Sequence, residues 1–141
     1  MERFFMNKTA AKEWLTKAWH HLSSAQLLFQ LEHYTDIIAI EIYYAVEISL
    51  KSFLAYDNSK IFKTHDLVDI YKHIKDHINF DDDDFCALEQ ISEYHIGESY
   101  PSSNRSLPPR KEIEEVLEFA ADIFERVCDI LKIDKAEIMK R

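Results

Sequence analysis

One glycine and three prolines serve all 141 residues, so the chain lacks the turn formers that the many tight reversals of a β-sandwich or barrel demand. The remaining solution is a few long helices, and the apolar residues follow their 3.6-residue period. From Thr9, the expected N-cap, to residue 31, one face carries Trp14, Ala18, Leu22, Ala25, Leu28 and Phe29. Segment 35–56 is different in kind. Ile37, Ile38, Ile40, Ile42, Tyr43, Val46, Ile48, Leu50, Phe53 and Leu54 leave it almost no polar side, which predicts a central helix enclosed by its neighbours. A third helix is predicted from a Thr64 cap, with Leu67, Ile70, Tyr71, Ile74 and Ile78 inward. A fourth runs from Asp84 to about residue 95, with Phe85, Leu88 and Ile91 inward, and Gly97 closes it in a left-handed conformation. Residues 98–109 are the one stretch dense in helix breakers and read as a loop. Pro109 opens a fifth helix whose stripe is Ile113, Val116, Leu117, Ala120, Ile123, Phe124 and Val127; residues 132–141 form a short terminal helix or a frayed tail. The expectation is all-α: one domain over residues 1–141, an antiparallel up-and-down bundle of four to five helices. At this length roughly two-thirds of the unfolded surface can be buried, enough for a core without staples.

Seventeen Lys and Arg against 26 Asp and Glu give a net charge of −9, which repels phosphate backbones and excludes non-specific DNA binding. A confined phosphate site is still open to it, since Arg105, Arg110 and Lys111 stand together with few acids near them. No run free of charge is long enough to cross a bilayer, and Glu2, Arg3, Lys8 and Lys12 around Phe4-Phe5-Met6 make no secretory core. A cytoplasmic protein is expected. Cys86 and Cys128 have neither metal nor redox spacing and read as reduced, half-buried thiols. Without a Gly-rich phosphate loop, a nucleophile elbow or a CxxC pair, no cofactor is expected.

The residues able to carry chemistry are few. Glu47 and Lys51 lie one turn apart on the central helix, in the favourable order for pairing. They either satisfy each other or face a polar pocket, because a charged pair on so apolar a helix needs one or the other. His65 falls in the predicted first turn of the third helix, where the positive dipole end favours neutral imidazole. It serves either as an acid/base or as part of a capped Thr-His-Asp-Leu turn. Asp69, His73 and His77 recur at helical spacing, a two-histidine pattern that zinc or nickel can use, though an exposed polar face has the same spacing, so no metal is assigned. The run 81–84 of four aspartates lacks the spacing of a calcium loop and reads as a turn whose last member, Asp84, caps the next helix.

Tyr44-Ala45-Val46-Glu47-Ile48-Ser49-Leu50-Lys51, then Lys63-Thr64-His65-Asp66-Leu67, then Tyr94, Tyr100 and Pro101 form an ordered pattern that resembles the HEPN domain, a small helical family linked to nucleotides and RNA. The resemblance runs from about Trp14 to about Ile130. Active HEPN ribonucleases resemble one another in an Arg followed four to six residues later by His; none of Arg3, Arg105, Arg110, Arg126 or Arg141 has such a histidine. Relatives often carry Arg-Tyr-Pro-Asp where this chain has Ser99-Tyr100-Pro101-Ser102. The resemblance therefore implies a non-catalytic HEPN domain that binds a nucleotide, a partner nucleotidyltransferase or both, in a toxin–antitoxin or stress module. The alternatives are a divergent metal-independent ribonuclease using a set such as His65, Glu47, Tyr100 and Arg105, with His65 the candidate catalytic residue, and a structural oligomerisation module. The nucleotide site expected is a cleft between the central helix and loop 98–109, lined by Glu47, Lys51, His65, Tyr100 and Arg105. Expected partners are a second copy of the chain, a minimal nucleotidyltransferase, and a nucleotide or RNA; DNA and membrane are not expected.

Overall fold

The computed structural model describes residues 6–101 and 106–139, and no strand occurs among them. The helices are α1 (Lys8–Gln30), α2 (Thr35–Tyr56), α3 (Leu67–Ile74), α4 (Asp82–Gly97), α5 (Arg110–Leu131) and the single turn α6 (Lys135–Ile138). Backbone and side-chain ties fix their directions. The Asn7 amide at the start of α1 donates to the Tyr56 carbonyl at the end of α2, 2.7 Å away. The Arg110 guanidinium at the start of α5 donates to the Phe29 carbonyl near the end of α1, at 2.8 Å. Arg126, late in α5, donates to the Asn79 carbonyl just before α4, also at 2.8 Å. The four long helices thus alternate up and down, and the short α3 is folded into the connection between α2 and α4.

α2 is the centre because no residue from Ile38 to Tyr56 is exposed. α1 lies close against it through Ala11, Leu15, Ala18, Leu22 and Ala25, all fully buried, and the alternation of Ala with Leu lets two backbones approach while the leucines interlock. Trp14 and Phe29, expected on this stripe, sit half-buried at its edges. α5 closes the core with the stripe from Ile113 to Val127, each fully buried Leu, Ile or Phe contributing about 1.5–3 kcal/mol of transfer free energy.

Helix ends differ from the sequence reading wherever several capping residues compete. Asn7, not Thr9, caps α1, accepting from the Ala10 amide at 2.9 Å. Asp81, not Asp84, caps α4, and Asp84 completes the reciprocal capping box. Gly97 is the last residue of α4 and has no positive φ; left-handed stops fall instead on Glu32 (φ 56°), Asn58 (φ 55°) and Lys132 (φ 55°), after α1, α2 and α5. Asp134 caps the terminal turn α6. Cys128 is buried and Cys86 exposed, both free. No helix among the described residues is long and apolar enough to cross a membrane.

The connection from α2 to α4 places the site. After Asp57, residues 58–66 climb back along α2, and α3 then descends beside α2 until His77 Nε2 meets Asp57 at 2.7 Å. The climb ends with His65 level with Glu47, ten residues before the end of the α2 cap.

Candidate functional site

Glu47 and Lys51 do pair, Nζ to Oε2 at 2.8 Å, with side chains only 6% and 8% exposed. The same Oε2 has a second neighbour, His65 Nδ1 at 3.4 Å. Burial makes the carboxylate strongly dependent on both, since an ion taken out of water must be compensated by close opposite charge. His65 itself is 53% exposed on its side chain, so it is the member of this trio that meets the outside.

The third helix starts two residues later than Thr64 predicts. Asp66 is the N-cap, and Thr64 Oγ1 accepts from the Asp66 amide at 3.2 Å. His65 therefore precedes the helix, and the dipole argument for its neutral form does not apply to it. The first amides of α3 are all occupied: Leu67 by Ser92 Oγ of α4 at 3.0 Å, Val68 and Asp69 by Asp66 Oδ1, and Ile70 by the Asp66 carbonyl. A helix start of this kind has no free donors for an anion.

α4 supplies a residue that the sequence reading passed over. The His95 ring stacks on His65 with centroids 4.0 Å apart and planes 15° apart, and it lies 5.0 Å from the Tyr43 ring. Tyr43, fully buried on α2, donates its hydroxyl to the His65 carbonyl at 2.7 Å and so fixes the backbone under the stack. Burial first, and the Glu47 carboxylate second, raise the Tyr43 hydroxyl far above the usual phenol range, so it stays a donor. Burial, and next the neighbouring His65, lower His95 from the ordinary histidine value, with Glu47 opposing. Stacked imidazoles cannot both take a proton cheaply, which favours a neutral His95 near pH 7.

The stack forms one wall of an open cleft of about 500 Å³, whose remaining lining includes Asp66, Val68, Glu89, Ser92 and Glu93. Among the described residues, no lysine or arginine lines it. Lys51 is held inside by Glu47 rather than presented to the cleft.

Of the five residues expected in one cleft, Glu47, Lys51 and His65 come together and Tyr100 does not. Tyr100 is 75% exposed and lines a separate cavity of about 440 Å³ with Asp36, Ile37, Pro101 and Leu107. Its distance from the stack follows from α4, which carries the chain past His95 to the top of the bundle before the loop begins. Arg105 lies outside the described residues. The Asp69, His73 and His77 pattern disperses because α3 ends at Ile74: His73 stacks on Phe62 at 4.1 Å, while His77 stacks on Phe53 at 4.8 Å and pairs with Asp57. No group of three or more potential metal ligands is assembled among the described residues. The sequence held one signal for His95: with Leu88, Ile91 and Ser92 it continues the inward-facing stripe of α4.

Fold and site together define a small all-helical domain with a buried charged pair on its central helix and a histidine stack above that pair. The chain belongs to the HEPN domain family, whose model matches residues 11–132. Searches of curated proteins and of solved structures gave no match. Membership supports a nucleotide- or RNA-related role in general terms.

Proposed function

We propose that this chain is a non-catalytic HEPN domain that works by docking a partner protein at the His65–His95 cleft, within a toxin–antitoxin or stress module whose other member is a minimal nucleotidyltransferase. The observation that carries this reading is the lining of the cleft, which among the described residues is two imidazoles, three carboxylates and no cation. Metal-independent RNA cleavage needs a proton-transfer group together with positive charge facing the phosphate. His65, backed by Glu47, has the form of the first; the second is missing among the described residues of the walls. A protein partner needs neither.

Mixing the chain with a minimal nucleotidyltransferase from the same genome, followed by size-exclusion chromatography with light scattering, tests the reading. A complex that weakens at least tenfold in Val68→Trp, which fills the cleft, is the expected result. No complex, or one indifferent to that change, refutes it. Metal-free RNA cleavage abolished by His65→Ala restores the ribonuclease alternative.

A second reading keeps the nucleotide but moves it. The exposed Tyr100 ring, with Ile37 and Leu107 beside it and Asp36 as an acceptor, supports a base stacked at the top of the bundle, away from His65. Calorimetric titration with ATP, GTP and AMP decides it: heat lost in Tyr100→Ala supports the site, and no heat with any of the three removes it. A homodimer is proposed through the exposed apolar residues between α1 and α2 rather than through the buried aromatics of α2. Tyr43 is wholly buried and offers nothing to a partner, whereas Leu27, Leu31, Tyr34 and Ile37 are exposed around the turn from α1 to α2.

A further inference from the structure

We propose that the His65 ring is a pH-operated lid over the buried Glu47–Lys51 pair: it lies on His95 while the two rings share at most one proton, and swings out into water when both are charged. The lid is a property of the free chain and holds whether or not a partner docks in the cleft.

The two rings come from different elements, His65 from the connection and His95 from the last turn of α4, with centroids 4.0 Å apart and planes 15° apart. A protonated imidazole on a neutral one is a cation on a π face, which is favourable. Two protonated rings at that separation are like charges in contact, so the pair takes its protons in two coupled steps. Glu47 is the one carboxylate paired with either ring among the described residues, and its Oε2 is shared: Lys51 Nζ lies at 2.8 Å and His65 Nδ1 at 3.4 Å. The ammonium is the closer cation, which leaves little of that carboxylate to offset a second imidazolium. The other ionisable groups facing the rings are Tyr43 and Tyr44 of α2, Asp66 at the cap of α3, and Glu89 and Glu93 of α4. Asp66 is engaged by the first amides of α3. Glu89 and Glu93 stand on the exposed rim, where solvent weakens their pull.

His95 is the better held of the two rings. It packs 5.0 Å from the Tyr43 ring and meets the Tyr44 ring edge-on at 6.5 Å, and Tyr94 before it is buried. His65 is held by its backbone instead, since its carbonyl accepts from Tyr43 and the Leu67 amide two residues on donates to Ser92. Its side chain is 53% exposed. Rotation about the side-chain bonds of His65, from one staggered well to another, therefore carries the charge into solvent without unfolding a helix. That rotation uncovers Glu47. Burial, and next the neighbouring His65, lower His95 while the lid is closed, so with the lid open His95 binds its proton more readily. Acid therefore favours the open lid and neutral pH the closed one.

The test follows the full ¹³C,¹⁵N-labelled chain by NMR from pH 8 to pH 5, reading the imidazole shifts and the ring-to-ring NOEs. Two histidine steps at least about one pH unit apart are expected for the pair. Across the lower step the His65–His95 NOEs should fall at least fivefold, while those from His95 to Tyr43 persist and the amide shifts of α1 and α5 hold. His95→Phe keeps a ring under the lid that takes no proton, so in that variant the contact from His65 to the new ring should last to pH 5. Where the variant fails to fold, the wild-type NOEs decide alone. Stack NOEs that survive both steps, an equal loss in His95→Phe, or a loss that comes only with the signals of α1 and α5 overturns the proposal. No partner is present in these measurements, so their failure leaves the docking reading where it stood.

Discussion

Lys51→Met removes the ammonium and keeps most of the side chain's volume, leaving Glu47 buried with only the partly exposed His65 beside it. Breaking a buried pair by deleting one partner costs about 3–5 kcal/mol. Here an upper limit follows from a separate argument, because the stranded carboxyl can escape by protonating. From an ordinary glutamate value of about 4.3 to pH 7, protonation costs about 3.7 kcal/mol at 1.36 kcal/mol per unit. The expected loss is therefore about 3 kcal/mol at pH 7, roughly 10 °C in Tm for a chain of this size, well within a total stability of about 5–15 kcal/mol. The pH dependence gives the signature. In the variant the folded-state carboxyl holds its proton more tightly than the unfolded one, so the difference from wild type shrinks as pH falls from 7 to 5 and grows as it rises. Replacing both residues, Glu47→Gln with Lys51→Met, leaves no stranded charge and should recover at least about 2 kcal/mol of the loss, a coupling typical of contacting groups. Urea unfolding at pH 5 and 7 measures all of this. A loss under about 1 kcal/mol at pH 7, a gap that does not change with pH, or a double variant no better than Lys51→Met refutes the account of Glu47 as a carboxylate dependent on its ammonium.

Two further outcomes follow from the groups around the stack. His95 is depressed in the folded chain by burial and by His65, with Tyr43, Tyr44 and Glu47 also facing it; the unfolded chain thus binds its proton first, and stability present above about pH 6.5 is lost as pH falls through the lower folded value. His95→Gln should flatten that decline relative to wild type, and unfolding curves that stay parallel between pH 7.5 and 5 count against it. Tyr43→Phe deletes the hydroxyl that holds the His65 carbonyl and is expected to cost about 1 kcal/mol, together with faster hydrogen exchange over residues 64–67; unchanged exchange there shows that the bond does not position the stack.

How much of this was legible in the sequence depends on the range of the interaction. The helices were, because the stripes of α1, α4 and α5 and the all-apolar α2 repeat a local period that tertiary packing then honours. Their ends were less so: Asn7, Thr9, Thr64, Asp66, Asp81 and Asp84 are all good caps, and which one is used is settled by where the chain enters the bundle. Among 81–84 the first aspartate caps because Asp84 can then reach back to it, a reciprocity that the opposite choice forfeits.

The site divides along the same line. Glu47 and Lys51 announce each other at one turn's separation, and the apolar surroundings of α2 already require that they be paired or pocketed. His65 and His95, by contrast, come from different elements, and only the climb of residues 58–66 and the return of α4 bring them face to face. Tyr100 does not reach the same cleft, because His65 stops half-way along α2 while Glu98 and Tyr100 stand beside its first turn, at Asp36 and Ile37. The connection's length therefore decides the chemistry: nine residues of climb place an imidazole over Glu47 and not beside Tyr100. Shortening that climb by two residues, sparing Ile61 and Phe62, which pack against the core, should leave the four long helices intact and should separate His65 from both Glu47 and His95.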